Sequence, residues 1–155
     1  MQLAVRDIAD RLLEHRRAGW IGSRPLFKQY AQASGPELAE VESRLGISLP
    51  ASLVSWLATV GFGDIDEDLS FRAEWFSVVE QGELKSAVLF AQDTLGNFYG
   101  YLPVNERIVF FSRSEPGYAF LAQNFREFLE ELERRDWRVM NWVESIQLRP
   151  YRWAA

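Results

Sequence analysis

His15 is the single histidine in a chain of 155 residues that contains no cysteine. A metal site or proton relay built on imidazole needs at least one more histidine or cysteine beside it. His15 has only Glu14 and the Arg16–Arg17 pair as neighbours, so it reads as a solvated side chain on the outer side of a helix. Without a thiol there is no thiolate nucleophile, no cysteine-bound zinc and no disulfide framework, and stability must come from packing, which suits a cytosol. The serine chemistries fare no better. There is no Gly-x-Ser-x-Gly turn, no Ser-x-x-Lys with plausible partners, and no glycine-rich phosphate loop ending in Lys-Ser or Lys-Thr.

The acidic run Asp64, Asp66, Glu67, Asp68 supplies oxygen ligands at a spacing close to that of an EF-hand loop. Counting Asp64 as position one puts Leu69 where that loop needs glycine and Trp75 where it needs a bidentate glutamate. The run therefore reads as a solvated acidic loop with no metal, and its functional reading is a recognition patch for a basic partner. Charge along the chain supports this. Residues 34–80 hold nine Asp/Glu against two Lys/Arg, whereas residues 1–33 hold six Lys/Arg against three Asp/Glu, within a net charge of -5. A nucleic-acid binder concentrates basic groups to neutralise phosphate, and the strongest asymmetry here has the opposite sign. Carboxylate pairs for glycoside hydrolysis could come from distant strands, and six tryptophans could stack on a sugar. Most aromatic residues, however, fall on apolar helix faces (Trp56, Phe128, Trp142) or in strand runs (Phe90, Phe98, Tyr99, Phe110, Phe111), where a core explains them. Trp20, Trp75, Trp137 and Trp153 are left unassigned.

The elements that must carry these residues follow from periodicity. Val5, Ile8, Ala9 and Leu12 mark one face of a helix expected to end at Gly19. Residues 20–33 contain Gly and Pro breakers without a clean period and read as a connection. Ser34, Pro36 and Glu37 form a helix start, Leu38, Val41 and Leu45 its apolar stripe, and Gly46 its end. Pro50 opens a second, well-buried helix through Trp56 to Gly61. Beyond it, aromatic and β-branched runs at Phe71–Glu80, Ser86–Gln92, Asn97–Leu102, Arg107–Ser112 and Tyr118–Ala122 read as strands. Their close spacing leaves no room for crossover helices, so the sheet is expected to be antiparallel. Asn124 caps a closing helix with Phe125, Phe128, Leu129 and Leu132 inward, and Asp136 is expected to cap a last helix carrying Val139, Trp142, Val143 and Ile146. The sum is an α+β fold: an antiparallel sheet of about five strands with helices on one face and at the ends, in one domain spanning 1–155. The start, MQLAVRDIADRLLEHRR, mixes charge into its apolar positions, unlike a signal peptide, and no apolar run reaches the roughly 20 residues of a membrane span.

In this order of elements, LAEVESRLGISLPASLVSWLATVGFG, LFAQDTLGNFYGYL and FLAQNFREFLEEL together resemble the SUKH superfamily. The residues that carry the resemblance are Glu42, Leu45, Gly46, Leu49, Pro50, Gly61, Gly63, Phe90, Ala91, Asp93, Gly96, Asn97, Phe125, Phe128 and Leu129. They make a family-like core of about 34–132, with helical extensions at both ends. The second helix departs locally, running into Val60-Gly61-Phe62-Gly63 where the family has Asn-Gly or Gly-Gly, and Gln123-Asn124 stands where it often has Ala-Ser. The resemblance implies a non-catalytic domain that binds another protein. In bacteria that is typically an immunity protein neutralising a cognate toxin, many of which act on nucleic acid; in fungi it is a regulator of cell-wall assembly. The expectations are thus a cytoplasmic immunity protein with no cofactor, no membrane and no direct nucleic-acid contact, whose partner-binding residues are Asp64, Asp66, Glu67 and Asp68. A regulatory scaffold is the alternative, and a small hydrolase comes after it.

Overall fold

The computed structural model describes residues 3–114 and 116–154. Helix α1 (Leu3–Glu14) buries Val5, Ile8, Ala9 and Leu12 as the spacing requires. It stops at Glu14, short of the expected Gly19, because the chain turns at once into a hairpin of β1 (Arg16–Ala18) and β2 (Ser23–Pro25), with Gly19 in its turn. The supposed connection also contains β3 (Phe27–Ala31), one edge of the main sheet. Its pattern hides it: only Phe27 is buried, and the other four residues face solvent.

Helix α2 (Gly35–Leu45) begins at Ser34 with proline in its first turn and ends at Gly46, whose φ of 70° makes the left-handed cap. The Ser34 hydroxyl donates to the Glu37 carboxylate instead of accepting from the backbone, so the two side chains bond each other in place of the expected reciprocal cap. The break after Gly46 is splinted by Glu42, whose carboxylate accepts the Leu49 N–H at 2.7 Å. Helix α3 (Ala51–Val60) follows Pro50 and buries Leu53, Trp56, Leu57 and Val60.

Strands β4 (Phe62–Ile65) and β5 (Leu69–Phe71) form a hairpin where a loop was expected. The expected single strand 71–80 is broken by a 3-10 turn at Ala73–Trp75, after which β6 (Ser77–Val78) rejoins the neighbouring strand. That neighbour, β7 (Val88–Asp93), pairs with β5 through one end and β6 through the other. Strands β8 (Phe98–Tyr101), β9 (Ile108–Ser112) and β10 (Gly117–Ala122) follow as antiparallel neighbours, close to the expected spans. A short β11 (Arg149–Pro150) closes the far edge, so the order is β11-β10-β9-β8-β7-β5-β4-β3. With β6 the sheet has nine strands among the described residues, more than the five expected, because the added strands are only two to five residues long and give too little pattern to reveal them.

Helix α4 (Phe125–Arg134) starts as read: Asn124 Oδ1 accepts the Glu127 N–H at 2.9 Å and Glu127 accepts that of Gln123 at 3.0 Å. Asp136 does not cap the last helix. Asp136 and Trp137 both take positive φ (57° and 62°), which turns the chain so that Trp137 is 2% exposed, and α5 (Val139–Val143) begins after Arg138. Trp56 is the hub of the core. Its ring stacks on Trp137 and meets Phe27, Phe71 and Phe125 at centroid distances of 5.9 to 6.5 Å. Phe128 does the same one turn on, against Phe90, Tyr99 and Trp142. The helices cover this face. On the other face Val109, Tyr118 and Tyr151 pack with Leu84 and Ala87 in a second, smaller cluster. Among the described residues, no helix is long and apolar enough to cross a membrane.

Candidate protein-interaction surface

The four acidic residues proposed to bind a partner lie on the β4–β5 hairpin, and it holds them in different states. Asp64, on β4, accepts from Tyr30 of β3 and from Ser70 of β5. Its hydrogen bond holds the exposed Tyr30 hydroxyl above its ordinary pKa. Asp66 sits at the turn with φ 52°, its side chain 11% exposed, and pairs with Arg17 and Arg24, one on each of its oxygens. Burial pushes the Asp66 carboxyl up, but the hydrogen bonds from Arg24 and Arg17 outweigh it and hold the group below the usual carboxylate range. Glu67 is exposed. Asp68 is half-buried, and desolvation followed by repulsion from Asp66 pushes its carboxyl up. The run is therefore not one solvated patch: Asp64 and Asp66 are bonded within the fold, Asp68 is half-buried, and of the four only Glu67 is exposed.

Asp66 joins a larger charged cluster. Arg17 also donates to the Asp136 carbonyl at 2.7 Å, and His15 Nε2 lies 3.0 Å from Asp136 Oδ1. His15 thus hydrogen-bonds a carboxylate at the α1 terminus, where plain solvation was expected. The hydrogen bond from His15, with Arg17 and Arg138 nearby, holds the Asp136 carboxyl below its ordinary range despite some desolvation. This cluster ties together α1, the β1–β2 hairpin, the β4–β5 turn and the segment before α5. Among the described residues, no three His, Asp or Glu side chains come together in a way that could hold a metal ion.

Three further surface features surround this frame. Trp20 and Ile21 project from the tip of the β1–β2 hairpin and are almost wholly exposed. Next to the exposed edge of β3, the Arg72 guanidinium lies over the rings of Tyr30 and Trp75, 4.3 and 5.0 Å from their centroids. On the face opposite the helices, Phe98, Phe111, Pro116, Tyr151 and Trp153 line an apolar groove of about 330 Å³. Of the tryptophans left unassigned, Trp137 is core, Trp75 half-buried, and Trp20 and Trp153 exposed.

One element of the sequence resemblance also has a physical cause here. Asp93 is buried at the β7–β8 turn and accepts from the N–H groups of Leu95 and Asn97, the Asn97 amide and the Tyr99 hydroxyl, at 2.8 to 3.1 Å. Asn97 in turn accepts the Arg113 N–H at 2.9 Å. The Asp-x-x-Gly-Asn pattern is thus a turn splint. Burial, then the Asp93 charge, pushes the Tyr99 hydroxyl far above its ordinary range, which keeps it a neutral donor.

This turn is part of the pattern by which the sequence resembles the SUKH class. The model of the SMI1 / KNR4 family (SUKH-1) matches residues 32–131, and the chain belongs to that family. No curated protein and no solved structure matches it. SUKH domains commonly serve as immunity or regulatory proteins. The match omits α1, the β1–β2 hairpin and β3 up to residue 31 on one side, and everything beyond α4's residue 131 on the other.

Proposed function

We propose that this chain is an immunity protein that binds a cognate toxin domain and neutralises it by occupying its working surface, with no reaction, metal or cofactor of its own. The observation that carries the reading is the SUKH-1 match over residues 32–131, which spans α2 to α4. The surface supports it. Polar groups of the shared scaffold serve as splints, as with Glu42 and Asp93, while charged and apolar recognition groups crowd the added N-terminal segment and the turn it braces. Glu67 and Asp68 present carboxylates suited to a basic cleft such as a nucleic-acid-cleaving toxin uses for phosphate. Neutralisation by binding also places the protein in the cytoplasm, where such a toxin would act. A regulatory adaptor is the other role open to a SUKH domain, and the partner's identity separates the two.

The test is co-expression with the toxin domain encoded beside this gene. Growth should be rescued, and the two chains should co-purify as a stable complex. A toxin that remains lethal and does not co-purify would defeat the reading. A stable complex with a non-toxin partner from the native cell would assign the domain to regulation.

A further inference from the structure

The turn between β1 and β2, Gly19-Trp20-Ile21-Gly22, leaves Trp20 99% and Ile21 88% exposed. The backbone presents them in a defined way. The Gly19 N–H donates to the Gly22 carbonyl at 2.8 Å, and Gly22 takes a φ of 66°, the left-handed position that a short hairpin loop assigns to glycine. The stem is braced as well. Arg17 and Arg24 face each other across the hairpin and both donate to Asp66, while the Leu26 N–H donates to the His15 carbonyl at 3.0 Å. A tryptophan held this way loses little side-chain entropy on binding and offers a large apolar area, which is why tryptophan dominates binding hot spots. The hairpin Arg16–Pro25 contains three arginines and no acid, and it precedes the family match that begins at residue 32.

We infer that the Trp20–Ile21 tip is an anchor that enters an apolar pocket rimmed by carboxylates on the partner protein, and that this hairpin sets which partner the SUKH scaffold accepts. The inference rests on the protein-binding reading and not on the partner being a toxin. Two other occupants fit less well. Two side chains on a rigid turn offer far less apolar area than the helices that lie in membrane interfaces. The apolar groove of a second copy carries Arg113 in its lining, which opposes the basic stem.

A photoreactive benzoylphenylalanine at position 20, and as a control at position 104, where Val104 is 87% exposed, locates the contact in the native cell. One protein should cross-link from position 20 and not from 104. That protein, once purified, should bind the full chain, and Trp20→Ala should weaken the dissociation constant by about 30-fold or more without moving the melting temperature. Val104→Ala should change it less than about twofold. If the cross-linked protein is a toxin, both readings stand. If it is another protein and the Trp20→Ala loss holds, the anchor stands and the toxin reading falls. The inference is overturned by equal cross-linking from 20 and 104, by a cross-link only to a second copy, or by affinity unchanged in Trp20→Ala. Binding to phosphatidylglycerol vesicles that Trp20→Ala abolishes would also overturn it.

Discussion

At the scale of single residues, Asp66 shows how a charge changes meaning once its neighbours are known. From the chain it is one of four acids in a run, equivalent to Asp64, Glu67 and Asp68. In the fold it is the counter-charge of two arginines that lie 49 and 42 residues earlier, and no local pattern could have paired them. Glu42 and Asp93 were legible only as letters of a resemblance; their roles as carboxylate splints needed the turn geometry. Asp66 is nearly enclosed, so Asp66→Asn is expected to cost about 1 to 3 kcal/mol, between the values for exposed and buried pairs, and to loosen the hairpin. Because the folded-state pKa of Asp66 lies below its unfolded value, its stabilisation is complete above the unfolded pKa of about 3.9 and is lost as pH falls through the lowered folded value. Urea melts of the wild type and Asp66→Asn should therefore differ at pH 7, and the gap should shrink as the pH falls below the unfolded value and through the lowered folded one. A constant gap across that range would show that the ion pairs contribute nothing.

The elements fall into two groups by how well their sequence shows them. The helices were legible because each has one buried face and so a period, and β7 to β10 because they are aromatic and β-branched runs between turn residues, although neither Ser34 nor Asp136 caps its helix as read. Of the strands that escaped, β3 lies at an edge, β4 carries glycine and acid, and β5 (Leu69–Phe71) is too short to show a run. Phe62-Gly63-Asp64-Ile65 is poor in strand formers, yet β4 forms because β3 and β5 pair it from both sides. Gly63 is there for this pairing: a Cβ at that position would overlap the Lys28 carbonyl and backbone of β3. Gly61, at φ 83° and ψ -173°, sits in a region closed to other residues, and a Cβ there would lie 2.7 Å from the Ala31 oxygen. The two glycines after α3, read from the chain as a helix end, are therefore where the edge strand crosses close to the helix exit. Gly63→Ala should cost about 1 to 3 kcal/mol by forcing β3 outward. Gly35→Ala, where a Cβ meets nothing within 4 Å, should be neutral or slightly stabilising. Equal melting temperatures for the two variants would contradict the close approach of β3.

On the scale of the whole molecule, one apolar cluster runs from Val5 in α1 through the sheet to Val143 in α5. The segments outside the family match are part of that core, not appendages to it. Trp137 stacks on Trp56, Trp142 lies against Phe128, and α1 packs on α3 and α4. Reading the ends as helical extensions captured α1 and the start of α5 but missed β1 to β3 and β11 and carried the last helix past Val143 to Ile146, and their place at the centre depends on distant aromatic contacts such as that of Trp56 with Trp137. Within this core, Trp56→Ala and Phe128→Ala should each cost about 3 to 5 kcal/mol, a large share of the 5 to 15 kcal/mol that holds an ordinary domain. The sharper expectation concerns residues 32–131 expressed alone. That segment keeps the family scaffold but removes α1, Phe27, Trp137 and Trp142, stripping one side of the Trp56 and Phe128 rings and exposing the apolar faces of α3 and α4. Such a loss exceeds what a domain of ordinary stability can absorb, so the fragment should show no cooperative thermal transition and should bind a hydrophobic dye, while the full chain melts in one step by circular dichroism and calorimetry. A fragment with a sharp transition near that of the full chain would mean that the shared scaffold is complete without its flanks, and that the tryptophan stack across them contributes little.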